Sequence, residues 1–313
     1  MKRLLLAYAG LLLIGSAWGS STPMVKIATE AGYQATGIMM VQSWLTVIVI
    51  GGFLALSGQW RRVPTDRAHI RLYLVVGVVG MTFPHLASLI ATQHLPAGVM
   101  SIVMSLVPLF VLPISLAIGL EQVRFRRIAG VLLGAMAIIL LIAPDASLPG
   151  TGLWVWVLFG ALAPLGYAIE GIYVAHSPAQ RVGPFVILWI GSAMAAILSI
   201  PVAILTDGIV MPNDTLGFPE FAIAWSGLVS VLAYAGYIVL LRHTGPVFGA
   251  QVSYIVTGTG IVWAMLLLGE RYSPWVWGAL CLLFVGLFLV QPRRSRKRAE
   301  QAASDLEAAN DRL

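Results

Sequence analysis

Residues 97–121 read AGVMSIVMSLVPLFVLPISLAIGLE, a long apolar stretch that ends in a glutamate. A related stretch at 247–270, VFGAQVSYIVTGTGIVWAMLLLGE, also ends in a glutamate. After each of them a short polar turn leads into a second apolar segment, which contains an early glycine, Gly130 or Gly278. One unit, an apolar helix followed by a turn and another helix, is therefore predicted to occur twice.

The duplication extends over nearly the whole chain. Matching Glu121 to Glu270 gives an offset of 149 residues, which also pairs Trp18 with Tyr167 near the starts of the two halves. The predicted divisions are a first repeat, a second repeat and a C-terminal tail, at residues 1–146, 147–291 and 292–313.

The composition is that of an integral membrane protein. Apolar residues make up 59% of the chain and charged residues 10%, against roughly 45–50% and roughly 25% in soluble proteins. Crossing a hydrocarbon core of about 30 Å takes roughly 20 apolar residues, and only helices or closed barrels satisfy the backbone there. Ten transmembrane helices are predicted, at 4–27, 35–57, 70–92, 97–119, 126–143, 152–175, 184–205, 221–241, 246–268 and 274–291.

The net charge of +6 indicates topology and not nucleic-acid binding. If Met1 is cytoplasmic and the ten helices alternate, 17 of the 19 Lys and Arg residues fall on the cytoplasmic side. Only Lys26 and Arg271 fall outside. This asymmetry follows the positive-inside rule, so both termini are predicted to be cytoplasmic.

Both ends of the chain have an alternative interpretation. The start, with Lys2-Arg3, an apolar run and Gly15-Ser16-Ala17, is also typical of a signal peptide. Because the apolar run continues past Trp18 to Ile27, we assign it to helix 1. The basic tail after Pro292 is expected to meet anionic lipid head groups, with nucleic acid as the less favoured partner.

Two five-helix halves have a functional implication. Five is an odd number, so the second half is predicted to enter the membrane in the opposite orientation. Inverted repeats are typical of transporters, in which the two halves open a central site alternately to each side. The longest outside loop, 207–220, is too short for a soluble catalytic domain, so function is expected among the helices.

Four short sequences carry a family resemblance. They are Ala17-Trp18-Gly19-Ser20, His94-Leu95-Pro96-Ala97-Gly98, Ser105-Leu106-Val107-Pro108-Leu109-Phe110 and Leu268-Gly269-Glu270. In this order and spacing the chain resembles the drug/metabolite transporter superfamily, and more closely its ten-helix EamA-type members, mostly exporters of amino acids and other small metabolites. Gly119-Leu120-Glu121 departs from the pattern, as does Gln42-Ser43-Trp44, where the family often has an arginine.

Several residues are expected to have structural roles. Glu121 and Glu270 lie at helix ends, where a carboxylate can accept backbone hydrogen bonds or face the positive end of a helix. The glycine pairs at 15–19 and 130–134 are predicted to let helices pack closely. Prolines that interrupt predicted helices, and are expected to kink them, are Pro84, Pro108, Pro113 and Pro164.

Two ionisable residues lie deep inside predicted helices, His85 and Glu170. Charge in lipid is costly, so such groups usually face a cavity or a partner. His85 is interpreted either as a neutral, hydrogen-bonded imidazole or as a cavity residue. Glu170 either pairs with Arg124 or Arg181 or faces the cavity. We favour the cavity for both, which makes them candidates for proton coupling.

Aromatic and hydroxyl side chains complete the predicted substrate site. Aromatic faces offer apolar area and can hold a cation, while hydroxyls donate and accept hydrogen bonds without charge. The resemblance implies a cavity lined by helices 1, 3, 4, 6, 8 and 9. The candidates are Trp18, Ser21, Ser88, Ser101, Ser105, Tyr167, Tyr234, Tyr237, Tyr254 and Thr257.

Other function classes fit the sequence less well. There is no His-Glu-x-x-His motif, no pair of intramembrane aspartates and no acidic cluster for a metal, so neither an enzyme nor a cofactor is predicted. A receptor or assembly factor would not require inverted halves. The sequence predicts a secondary transporter of the inner membrane that exports a small amphiphilic metabolite, an amino acid or related compound. A nucleotide-sugar or nucleoside carrier is the alternative, and the few basic residues within the helices argue against a ligand with a doubly charged phosphate.

Overall fold

The computed structural model describes residues 2–59, 63–143, 148, 150–177, 182–210, 217–244 and 251–291. These parts of the chain form helices and no strands, arranged as ten apolar rods. The first five rods are α1 (Lys2–Gly19 and Ser21–Glu30), α2 (Ala35–Leu56), α3 (Arg67–Val75, Val76–Thr82 and Phe83–His94), α4 (Ala97–Met104 and Val107–Ala117) and α5 (Phe125–Ile142). The others are α6 (Trp154–Gly160 and Leu162–His176), α7 (Pro184–Leu205), α8 (Phe218–Thr244), α9 (Val252–Leu268) and α10 (Pro274–Val290).

The lengths of the rods suit a lipid bilayer. Rods α1 to α8 are each long and apolar enough to cross a membrane. Rods α9 and α10 have 17 residues each, which is about 25 Å at 1.5 Å per residue, and they are apolar throughout. The all-helical, multi-pass membrane fold is confirmed for the described part of the chain. Residues 246–250, predicted to begin helix 9, lie outside that part.

Four rods are interrupted close to the point four residues before a proline. In α1 the break at Ser20 precedes Pro23. The turn at Ser105–Leu106 in α4 precedes Pro108, and the break at Ala161 in α6 precedes Pro164. In α3 the π-helical stretch Val76–Thr82 precedes Pro84. Proline has no N–H to donate and its ring clashes with the carbonyl of residue i−4, so the helix loosens there. Pro113, in contrast, lies within the continuous helix Val107–Ala117.

The packing of the rods is nearly symmetric under exchange of the two halves. Rod α1 packs against α8 and α9, and its counterpart α6 packs against α3 and α4. The pairs α2 with α7, α4 with α9 and α5 with α10 are formed between counterparts. Rods α1 to α5 and α6 to α10 therefore occupy equivalent positions in the bundle. This supports the predicted duplication, while the boundaries 1–146 and 147–291 stay a prediction.

Glycines bring several of these rods close together. A Cβ at Gly19 of α1 would lie 2.8 Å from the carbonyl oxygen of Val256 in α9. A Cβ at Gly130 of α5 would lie 2.7 Å from the carbonyl oxygen of Gly286 in α10. Real Cβ atoms do not come this close, so a larger residue would force the rods apart. The packing role predicted for the two glycine pairs is confirmed.

Candidate functional site

The inward face of α6 carries Tyr167 and Glu170. Both lie on the helical stripe of Ala163 and Gly166, which are buried, whereas Ile169 is 41% exposed on the outer side. The stripe packs on α3. A Cβ at Gly80 would run into the Glu170 side chain, so the absence of a side chain at Gly80 makes room for Glu170. Glu170 also acts electrostatically on the Tyr167 hydroxyl.

The Glu170 carboxylate has no hydrogen bond or ion pair among the described residues. Although these oxygens have no partner there, they are not fully buried. The carboxylate therefore borders open space. The predicted pairing with Arg124 does not occur, and Arg181 lies outside the described residues. A carboxylate with free acceptor positions in an apolar bundle is suited to bind a proton or a cationic group.

Tyrosines of α8 continue this site. Tyr234 and Tyr237 lie on the same stripe of α8, and Tyr234 interacts electrostatically with both Glu170 and Tyr237. Tyr237 and Trp18 pack against the same small group of buried apolar side chains on α1, α8 and α9. The structure thus brings together five of the predicted residues, which we call the central cluster: Trp18, Tyr167, Glu170, Tyr234 and Tyr237.

His85 lies on α3 and is held by residues from two other rods. Its Nε2 is 2.7 Å from Oε1 of Gln42 in α2, and Nε2 of Gln42 donates to Oγ of Ser226 in α8 at 2.6 Å. The Ser226 hydroxyl donates in turn to the carbonyl oxygen of Ile223, 2.9 Å away. Among the described residues, His85 is thus hydrogen-bonded inside the bundle through one ring nitrogen, Nε2.

The hydroxyls of α4 and α9 are engaged with each other and with their own helices. Ser105 and Thr257 share a hydrogen bond that joins the two rods. Each hydroxyl has one hydrogen, so one of the two donates to the other. The accepting hydroxyl then donates to a carbonyl oxygen of its own helix, that of Ser101 for Ser105 or that of Ser253 for Thr257. All three predicted hydroxyl residues are buried. Here they hold α4 against α9 and leave no hydroxyl hydrogen free for a ligand.

Three predicted residues lie apart from the central cluster. The Tyr254 ring packs against Phe284 of α10, with ring centroids 5.5 Å apart, and its hydroxyl accepts from Gln291. The Ser21 hydroxyl donates to the carbonyl oxygen of Trp18, at the break in α1. Ser88 is half-buried one turn beyond His85 on α3, where its carbonyl accepts from Thr92.

A second polar cluster lies at the predicted outer end of the bundle. The Glu270 carboxylate accepts from the N–H groups of Ala97 and Gly98, at 2.7 and 3.2 Å, and from the Tyr272 hydroxyl. It thereby caps the N-terminus of α4. The backbone hydrogen bonding predicted for this glutamate is confirmed. Burial, and then the hydrogen bond to Glu270, raises the pKa of Tyr272. Lys26 and Glu270 line a neighbouring cavity of about 450 Å³.

Comparison with known proteins identifies the family. A sequence model described as the EamA-like transporter family matches residues 5–143 and matches again at residues 154–291. The chain belongs to the EamA-like transporter family. This membership confirms the resemblance to the drug/metabolite transporter superfamily, and it makes the protein a membrane transporter.

Similar proteins are known from Escherichia coli. An "Uncharacterized inner membrane transporter YedA" of strain K12 is 22% identical over 292 residues, which are 92% of this chain and 92% of that protein. The same description and identity apply to proteins of strains O6:H1 and O157:H7. A solved structure described as "Crystal structure of protein" has a TM-score of 0.59 and 20% identity, and the similarity covers 90% of this chain and 96% of the other. It shares the fold of this EamA-like transporter.

Sequence reasoning missed three residues that shape the site of this EamA-like transporter. Gln42 was noted only as a departure from the family pattern, although a glutamine inside an apolar helix is itself a signal for a buried hydrogen bond. Ser226 had no such signal, because serine is common in membrane helices. Gly80 was also missed, since its role depends on which residue of α6 packs against it.

Proposed function

We propose that this EamA-like transporter is a secondary transporter that exports a small amphiphilic metabolite, an amino acid or related compound, by alternating access. The inner membrane is the proposed location, in keeping with the description of YedA as an inner membrane transporter. Small-molecule substrate and lipid are the proposed partners, with protons as a coupling ion that acts through Glu170 and His85. Both termini are proposed to be cytoplasmic, as the distribution of Lys and Arg predicts.

The observation that carries the proposal is the Glu170 carboxylate, which has no partner in the described part of the chain and is bordered by aromatic side chains and open space. Such a carboxylate is expensive to keep inside a membrane protein unless a ligand or proton uses it. The aromatic side chains of the central cluster offer faces for the apolar part of an amphiphile. None of its members is Lys or Arg. A nucleotide sugar, with its negatively charged phosphates, would meet no cation in this described part of the site.

The architecture supports alternating access. Counterpart rods α2 and α7, α4 and α9, and α5 and α10 pack against one another, so one half can rock against the other at these contacts. The central cluster is built from α1, α6 and α8, with α3 behind Glu170. These rods belong to both halves, and a relative movement of the halves would therefore change the access of water to Glu170.

Flux through purified protein in liposomes tests the proposal. Phenylalanine, phenethylamine, uridine and tetraethylammonium are suitable radiolabelled probes for amino acid, amine, nucleoside and quaternary amine classes. We expect an amphiphile with an amino group to be carried and uridine to be excluded. A carried solute at about 100 times its dissociation constant should also stabilise the protein by about 2.7 kcal/mol. If none of the four solutes moves and none stabilises the protein, this function is wrong.

The proposed role of Glu170 has its own test. Glu170→Gln should fold and bind a neutral solute but lose the pH dependence of flux, because an amide cannot exchange a proton. Glu121→Gln is the matched control, since the Glu121 side chain is 41% exposed and pairs with Arg127 at a helix end. Unchanged pH dependence in Glu170→Gln would show that Glu170 does not couple transport to protons, and would favour a facilitator.

Cysteine labelling tests the position of the cavity. After replacement of the exposed Cys281, single cysteines at Ser88 and Tyr237 should react more slowly when a carried solute is present. Ser105→Cys should show the same effect if the cavity reaches α4. A cysteine at Leu132, which is 64% exposed on α5, is the control. Equal protection there would mean that the solute does not act at the central cluster.

A further inference from the structure

A chain of hydrogen bonds joins three rods beside the central cluster. His85 of α3, Gln42 of α2 and Ser226 of α8 are linked at 2.7 and 2.6 Å. Gln42 is 6% exposed and Ser226 is 1% exposed, so neither side chain has water as an easy alternative partner. The three groups therefore depend on one another for their hydrogen bonds.

The direction of the hydrogen bonds follows from the last acceptor. The carbonyl oxygen of Ile223 can only accept, so the single hydroxyl hydrogen of Ser226 is used there. Ser226 Oγ must then accept from the amide nitrogen of Gln42, which turns the amide oxygen of Gln42 towards His85. That oxygen carries no hydrogen, so Nε2 of His85 must donate. In the opposite orientation of the amide, the Ser226 hydroxyl would donate to the amide oxygen of Gln42 instead of to Ile223, and the amide nitrogen of Gln42 would donate to Nε2 of His85.

The other nitrogen of His85 has no partner. No hydrogen bond to Nδ1 occurs among the described residues, and Nδ1 is not fully buried. In the neutral ring with a hydrogen on Nε2, Nδ1 is an acceptor, and here it borders open space. We propose that Gln42 and Ser226 hold the His85 ring with its hydrogen on Nε2, so that Nδ1 accepts a hydrogen bond from an ammonium or hydroxyl group of the transported solute.

This inference rests on the proposed transport function and specifies the ligand more closely. Gly80, which packs against Glu170, and His85 are five residues apart on α3, so they lie less than about two turns from each other along the rod. The site then offers two hydrogen-bond acceptors that have no donor among the described residues. They are Nδ1 of His85 and the Glu170 carboxylate. A solute with N–H or O–H donors on its polar end and an apolar body fits both. Gln42 is a positioning residue, because it acts through His85.

Nitrogen NMR tests the orientation of the ring without any transport measurement. Full-length protein labelled with ¹⁵N-histidine and placed in lipid bilayers should show His85, assigned by its loss in His85→Asn, protonated on Nε2 and unprotonated on Nδ1. Gln42→Leu should convert this signal to a mixture of tautomers. Ser226→Ala, a smaller change, should do the same if Gln42→Leu does not fold. Gln93→Leu on the same rod as His85 is the control, because Lys26 bonds to its backbone oxygen and its side chain makes no hydrogen bond among the described residues.

Two results would overturn the positioning role. One is a wild-type His85 with its hydrogen on Nδ1, which would mean that the Gln42 amide has the opposite orientation. The other is an unchanged His85 signal in both Gln42→Leu and Ser226→Ala, which would mean that the ring is held by something else.

Flux in liposomes tests the ligand assignment. Phenethylamine carries N–H donors on its cation, whereas phenethyltrimethylammonium has the same charge and ring but no N–H. We expect His85→Leu to lower phenethylamine flux about tenfold, the effect of one lost hydrogen bond to a charged group, while the trimethylated probe changes little. Gln42→Leu, which leaves part of the His85 rings with their hydrogen on Nε2, should lower phenethylamine flux by a smaller factor. Equal losses for both probes would overturn the assignment, as would the absence of phenethylamine flux from a protein that carries phenylalanine. If no solute is carried at all, the transport proposal fails instead, and the NMR result stands by itself.

Discussion

Removing the Glu270 carboxylate should destabilise the protein through the N-terminus of α4. The carboxylate accepts from the N–H groups of Ala97 and Gly98 at 2.7 and 3.2 Å and from the Tyr272 hydroxyl. In Glu270→Ala the N–H of Ala97 loses the one partner it has in the described part of the chain. The N–H of Gly98 keeps the Tyr272 oxygen at 3.1 Å.

The expected loss is about 1.5–3 kcal/mol. One hydrogen bond to a charged group contributes about 1.5–3 kcal/mol, and a carboxylate at a helix N-terminus adds about 0.3–1 kcal/mol through the helix dipole. Water that enters from the neighbouring cavity of about 450 Å³ can replace part of this. Glu121 occupies the matching position of the other half, but it is exposed and makes one ion pair, with Arg127 at 2.8 Å. Glu121→Ala should therefore cost only about 0–1 kcal/mol.

Unfolding in mixed micelles with increasing SDS, followed by circular dichroism, measures both losses. The unfolding midpoint of Glu270→Ala should shift clearly to lower SDS, whereas the midpoint of Glu121→Ala should hardly shift. The midpoint of Glu270→Gln should lie between the two, because its amide oxygen still accepts hydrogen bonds. Equal shifts for the two alanine variants would refute the reasoning, since the two glutamates would then be equivalent in spite of their different contacts. A wild-type midpoint in Glu270→Ala would refute it as well.

Three further predictions follow from the same contacts and from the charge pattern. Gly98→Ala should destabilise by about 1–3 kcal/mol, the usual cost of overpacking, because its Cβ would collide with the Tyr272 hydroxyl; the same SDS titration measures this, and wild-type stability would mean that Tyr272 moves aside. Asp66 caps the N-terminus of α3, because its carboxylate accepts from the N–H groups of Ala68 and His69. The hydrogen bond from His69 lowers the pKa of Asp66, so this cap should be present above the ordinary carboxyl pKa and be lost as the pH falls through the lowered value. Hydrogen exchange of the first turn of α3 should accelerate in acid, and pH-independent protection would contradict this. Reporter fusions should place the C-terminus inside and the loop 207–220 outside, and the reverse result for either would remove the topology argument.

The number and nature of the helices followed from the sequence because hydrophobicity is a local property. A stretch of apolar residues such as 97–119 must span a membrane wherever it lies in the bundle. The duplication was also visible, since Glu121 and Glu270 end similar stretches at a constant offset. The breaks in α4 and α6 were foreseeable from Pro108 and Pro164, because proline acts on its own helix.

Which polar side chains meet each other was decided only by the tertiary structure. Tyr254 and Tyr237 look alike as tyrosines in apolar helices, yet one packs on α10 and the other on α1 beside Trp18. Gln42 and Ser226 are 184 residues apart and share a hydrogen bond that no local pattern predicts. A hydrophobic span determines that a helix crosses the membrane, whereas the rotation of that helix about its axis, and hence the partner of each polar group, depends on how the rods pack together.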